Sequence, residues 1–167
     1  MQELLVVLED HLVKEFRMLQ SLIIISKNER VCLRNRDTNQ VLRIVEEKEA
    51  VLDSLGLLMD ADRMTIQEIS EKVGLKSDSY SLLKLLPYIG TEQGKRIKNL
   101  HEGITTLVEQ AKELNLGNRA MADANAQCLD ATQAFLLRLI MPPANYQHHP
   151  AITNAFLPPV WGVEHAV

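Results

Sequence analysis

The side chains able to do chemistry in this chain of 167 residues are few and scattered: Glu46-Glu47-Lys48-Glu49, His148-His149, the single histidines His11 and His101, the thiols Cys32 and Cys128, and Gly90, Gly94 and Gly103. Paired carboxylates can divide acid and base work, but consecutive helical residues fan around the axis. Glu46 to Glu49 therefore reads as a solvated face with local Glu to Lys pairing. A di-metal bundle needs Glu-x-x-His pairs, whose spacing brings both ligands to the interior, and the chain has none. Neighbours in an extended chain point apart, so His148-His149 does not make a metal site, and His11 and His101 read as solvated histidines on charged helix faces. The glycines are too far apart to cradle a phosphate and follow no strand. Cys32 and Cys128 form neither a disulfide framework nor a zinc site. Composition and spacing predict no catalytic residue, no metal and no cofactor.

What remains is a set of amides. Asn118 and Asn125 occupy one seam of a heptad that runs unbroken through Ile97, Ile104, Ala111, Asn118, Asn125, Thr132 and Leu139. The other seam is Leu100, Leu107, Leu114, Met121, Cys128 and Phe135. Residues that repeat every seven stay on one side of a helix, so this is one long helix with a continuous partner-facing stripe. Its first turns are aliphatic, whereas from Asn118 onward the seam turns to amide, thioether, thiol and hydroxyl. Two readings stand for the amides. Either they fix register against a facing helix, or with Met121, Cys128, Leu129, Thr132, Phe135, Leu136 and Leu139 they line a groove that receives another chain's helix.

The elements that position this stripe are helical. Aromatic residues are 4% of the chain and glycine is scarce, the composition of helices packed lengthwise. Leu4, Leu5, Leu8, Leu12, Phe16, Leu19 and Ile23 predict a first helix from residue 2 to about 33. Asp37 or Thr38 caps a second, with the stripe Val41, Leu42, Val45, Leu52, Leu55, Met59, Ile66, Ile69 and Val73, ending at Gly74. The short link makes these two antiparallel. A short helix follows from Ser77 or Asp78, with Leu82, Leu83, Leu85 and Leu86 buried, and Pro87 and Gly90 end it. Thr91 caps the long helix and Pro142-Pro143 halts it after Met141. Whether the first helix packs along the long one stays open.

The expected fold class is all-α, an elongated antiparallel bundle or coiled coil of three long helices and one short, over residues 1–141. Residues 142–167 contain five of the six prolines and no Lys or Arg. They are expected to be a disordered tail with sparse apolar anchors. The formal charge of -4, with signs interspersed, gives no footprint for nucleic acid. The basic cluster Lys27, Arg30, Arg34 and Arg36 complements the C-terminal dipole of the first helix. Glu3, Glu9 and Asp10 argue against a secretory signal, and Leu22 to Ile25 is far too short to enter a membrane, so the cytoplasm is the expected location.

An acidic first helix, Glu46-Glu47-Lys48-x-x-Val51-Leu52-x-x-Leu55, Arg63, Val73-Gly74-Leu75, then Leu107 with Leu114-Asn115-x-x-Asn118 and an apolar stretch to Met141, follow one another in an order that resembles the FlgN family of flagellar export chaperones, over roughly residues 1 to 141. The resemblance implies a catalytically inert cytoplasmic protein. It would hold amphipathic C-terminal helices of hook-filament junction proteins on the stretch from Asn118 to Leu139 and deliver them to the type III export gate, with the gate's ATPase complex as a further contact left open. A tail tyrosine in that family is associated with the gate, which points to Tyr146, and Trp161 is the tail's other large anchor. The alternative is a generic coiled-coil adaptor or self-associating structural protein in which Asn118 and Asn125 pair across a dimer. Oligomeric state is left open.

Overall fold

A computed structural model of the chain describes residues 1–75 and 80–140. They form α1 (Gln2–Asn35), α2 (Thr38–Lys72), a single turn α3 (Leu82–Leu85) that runs on into a 3-10 turn at Leu86–Tyr88, and α4 (Thr91–Ile140). The protein is all-α. It divides into two units, Met1–Asp130 and Ala131–Val167, with the boundary inside α4.

In the first unit each helix end has a local cause. α1 stops at Arg36, which takes the left-handed conformation at φ 55°, while the N–H groups of Arg36 and Asp37 return to the carbonyls of Leu33 and Cys32. Asp37 then caps α2, its Oδ1 accepting from the N–H of Gln40 at 3.1 Å. α2 ends in the same way at Gly74, φ 76°, where Leu75 N–H reaches the Ser70 carbonyl. Only a residue without a Cβ adopts that φ at no steric cost. Thr91 lies inside α4 as its first residue rather than capping it, and Gly90 supplies the preceding carbonyl, which accepts from Gly94 N–H.

The buried seam of α1 is a strict heptad: Leu5, Leu8, Leu12, Glu15, Leu19, Leu22, Ser26, Glu29 and Leu33. α2 lies antiparallel to it, as the widening pairs Glu29 with Lys48 and His11 with Asp62 require. α4 runs parallel to α1. Three bonds between them, Asn118 to Ser26, Asn125 to Leu33 and Cys128 to Arg36, share a separation of 92 residues, which only two parallel helices in constant register give. Leu82, Leu85 and Ile89 of the α3 segment join Leu8, Ile69, Ile97 and Ile104 in the core. Each such side chain contributes about 1.5–3 kcal/mol relative to exposure.

Two expectations are corrected. Leu83 is 55% exposed, because a single turn can bury only one side. The apolar stripe read on α2 is split between two faces: Leu55 and Ile69 are buried, whereas Leu42, Leu52 and Met59 are exposed. The seam against α1 is Ile44, Lys48, Val51, Leu55, Leu58, Asp62, Thr65 and Ile69. Polar members are tolerated there because they are bonded: Asp62 to His11, and Thr65 to the Ala61 carbonyl.

In the second unit the described residues continue α4, and 131–139 are exposed throughout. The expected boundary at 141/142, the tail 142–167 with Tyr146 and Trp161, and the expected start of the short helix at Ser77 or Asp78 lie outside the described residues.

Candidate functional site

The three long helices are tied together at one level by a polar cluster. Asn118, 2% exposed, donates from Nδ2 to the Ser26 carbonyl and to Glu29 Oε2, both at 2.7 Å, and its Oδ1 accepts from Arg30 Nε at 3.0 Å. Arg30 Nη2 also donates to the Leu114 carbonyl at 3.2 Å. Gly117 leaves room for this guanidinium, since a Cβ there would stand 2.4 Å from Arg30 Nη2. From α2, Lys48 Nζ donates to Glu29 Oε2 and to Asn115 Oδ1, both at 2.7 Å. Every polar group of the Asn118 side chain is therefore used inside the chain. A buried amide and a buried carboxylate are acceptable only when so satisfied, and the cluster holds α4 at one register on the α1–α2 hairpin.

This arrangement revises several sequence expectations. Asn118 fixes register, with both amide hydrogens and its oxygen bonded inside the chain. Lys48 bridges α1 and α4 instead of pairing within its own run of glutamates, and Arg30 is an inter-helix clip rather than a complement to the dipole of α1. Ser26, Glu29 and Arg30 were missed as interior or bridging residues, although the spacing Leu19, Leu22, Ser26, Glu29, Leu33 carries the signal for the first two. Asn125, half-buried, donates to the Leu33 carbonyl at 2.9 Å. Arg36 Nη2 lies 3.9 Å from Cys128 Sγ.

The seam of α4 thus changes along its length. Ile97, Ile104 and Asn118 are buried, Met121 and Asn125 are half-buried, and Cys128 and Leu129 are exposed. In the second unit Thr132, Phe135, Leu136 and Leu139 are exposed, with Phe135 at 61% and Leu139 at 65%. Large apolar side chains left at this exposure on consecutive turns are what a binding face offers.

A second polar level holds Glu15 of α1 and Asp62 of α2. His11 is no solvated surface histidine: its Nδ1 lies 2.8 Å from Asp62 Oδ1. Burial, and then the neighbouring charge of Asp62, push the Glu15 carboxyl above its ordinary 4.5. Burial likewise pushes Asp62 above 3.8, against the opposing pull of the His11 hydrogen bond. Among the described residues no group of three or more His, Cys, Asp or Glu is placed to hold a metal ion. No described helix is long and apolar enough to cross a membrane.

Comparison with known families gives a match to the FlgN protein family over residues 1–150. No curated protein and no solved structure matches the chain.

Replacing Asn118 with Leu should lower stability by roughly 1–3 kcal/mol in denaturant unfolding, since it removes one hydrogen bond each from the Ser26 carbonyl, the Glu29 carboxylate and the Arg30 guanidinium; an unchanged midpoint would show that the cluster does not set the fold. The raised Glu15 value fixes a sign for pH dependence. Folded protein holds this proton more tightly than unfolded chain, so the contribution is complete below the unfolded value and is lost as pH rises through the folded one. Glu15→Gln should therefore be more stable than the parent at neutral pH and show a shallower fall between pH 4.5 and neutrality. A steeper fall would contradict the assignment.

Proposed function

Because the chain belongs to the FlgN family and is a flagellar export chaperone, we propose that it works in the cytoplasm, holding amphipathic C-terminal helices of hook-filament junction proteins until the type III export gate receives them. The observation that carries the proposal is the passage of the α4 seam from buried at Asn118 to exposed from Cys128 onward. Such helices assemble through their own apolar faces. Laying that face on Leu129, Phe135, Leu136 and Leu139 covers the surface that assembly uses, with Met121, Cys128 and Thr132 beside it. Asn118 and Asn125 belong to this site only indirectly, as the residues that hold the seam in place.

Energetics suit a transient grip. A few anchors at about 1.5–3 kcal/mol each, less the cost of ordering the client, give a complex that is stable in the cell and can still be stripped during export. The chaperone itself needs no nucleotide or cofactor for this. In the tail we assign Tyr146 and Trp161 to contact with the export gate, since amphipathic aromatic side chains suit interfaces that form and dissolve.

Phe135→Asp should weaken client capture about tenfold or more while helicity and the unfolding midpoint stay near the parent, because Phe135 is 61% exposed. Joint loss of capture and fold would place Phe135 in a core. Concentration-independent sizing as a tight dimer, with Phe135→Asp dissociating it, would instead favour the self-associating adaptor. Truncation after Met141 should leave client binding in solution intact and lower client secretion in cells; undiminished secretion would remove the docking role from Tyr146 and Trp161.

A further inference from the structure

Within the first unit a cavity of about 610 Å³ is lined by Glu15 of α1, by Met59, Asp62 and Ile66 of α2, and by Ile104 and Val108 of α4. Two independent features meet there. The first lies on α2, which carries two heptad stripes. The one that packs on α1 is interrupted by Lys48, Asp62 and Thr65. The more apolar one is Val45, Leu52, Met59 and Ile66, of which Met59 and Ile66 line the cavity, with Leu52 and Met59 46% and 51% exposed. A stripe repeating every seven residues is the complement of another helix.

The second feature is charge that is only partly paired. Glu15 and Asp62 occupy strict seam positions at 8% and 6% exposure. Among the described residues nothing makes a hydrogen bond or ion pair to Glu15, and Asp62 Oδ2 is buried with no hydrogen-bond partner. Several charged or titratable groups around them have partners of their own. His11 meets only Asp62 Oδ1, the Arg63 guanidinium on the rim turns to Asp60 at 3.5 Å, and the Tyr80 hydroxyl turns to Glu71. His101 lines the cavity as well. A leucine would pack better at either seam position, so two carboxylates there are costly unless a cation reaches them.

We propose that this cavity is a receptor for one arginine or lysine side chain, presented by a partner protein's helix that lies along Val45, Leu52, Met59 and Ile66. The aliphatic stem runs over Met59, Ile66, Ile104 and Val108, and the cationic head reaches the Glu15 and Asp62 carboxylates. A helix with an apolar face and a single cation within it is selected over one that is wholly apolar, because the wholly apolar helix would seal the Glu15 carboxylate away from water unpaired. The raised Glu15 value agrees with a carboxyl that lacks a counter-charge in the free protein. The kind of partner follows the chaperone reading, whereas the site itself uses nothing of the stripe from Met121 to Leu139.

Methyl NMR on the full chain tests this with butylguanidinium and its neutral isostere butylurea. Saturable shifts of the Ile66, Ile104 and Val108 methyls by butylguanidinium, about tenfold or more stronger than by butylurea, are expected, and Glu15→Gln with Asp62→Asn should bind both alike. The parent comparison stands even if that double variant fails to fold. A helical leucine–alanine peptide of about 18 residues with one central arginine should likewise outbind its norleucine counterpart. Equal binding of charged and neutral probes, no saturable shift, or a preference kept in the double variant would overturn the receptor. Preference for the free cation without preference for the arginine peptide would overturn the helix-borne partner. Phe135→Asp should keep the arginine preference. Lost client capture in that variant beside an absent preference in the parent would sink this site and leave the chaperone reading standing.

Discussion

The buried amide of Asn118, bonded at once to the Ser26 carbonyl, the Glu29 carboxylate and the Arg30 guanidinium, is the constraint on which the alignment of the first unit depends. Apolar seams slide at modest cost, because one leucine fits much where another did. A buried carboxylate does not slide: moving α4 by one turn would leave Glu29 paired with Lys48 alone and the amide facing aliphatic neighbours, and leaving such buried polar groups unsatisfied costs about 1–3 kcal/mol each. The cluster reaches all three long helices, so one alignment satisfies it and the neighbouring ones do not. From that alignment it follows that Asn125 and Cys128 meet the last turn of α1 at Leu33 and Arg36, and hence where along α4 the seam ceases to be covered.

Seen along its length, the first unit is a heptad structure with polar levels set into an aliphatic one. Aliphatic levels at Leu8, Leu85, Ile97 and Ile69 supply most of the burial. The level at Glu29, Lys48 and Asn118 is fully satisfied and acts as a register key. The level at Glu15 and Asp62 is only half satisfied, through His11. Two polar levels of the same seams thus carry opposite roles, one closing the fold and the other leaving charge beside an open cavity, and the difference lies in whether the third helix brings a matching group. α4 brings Asn118 to the first level and Ile104 and Val108 to the second.

The proposed client site would need apolar surface that is presented without collapsing on itself, and α4 would supply it by length. Its 50 residues exceed the 34 of α1 and the 35 of α2, so a seam that holds the fold in its first half has residues to spare in its second.

Helix existence, the antiparallel hairpin, the stop at Gly74 and the long α4 heptad were all legible in the sequence, because 3.6-residue periodicity and capping chemistry act over neighbouring residues. The family was legible as well, from the order of its segments. The identity of the inner face of α2 was not. Following apolarity selected Leu55 and Ile69 correctly but also Leu52, Met59 and Ile66, whereas the face against α1 contains Lys48, Asp62 and Thr65. Nothing local distinguishes a lysine that bridges two other helices from one in a solvated run of glutamates. The same holds for Arg30 and His11, whose partners lie 88 and 51 residues away. Tertiary packing alone decided these, since the free energy of a buried polar group depends on what another segment places opposite it, and that information is absent from its own neighbourhood in the chain.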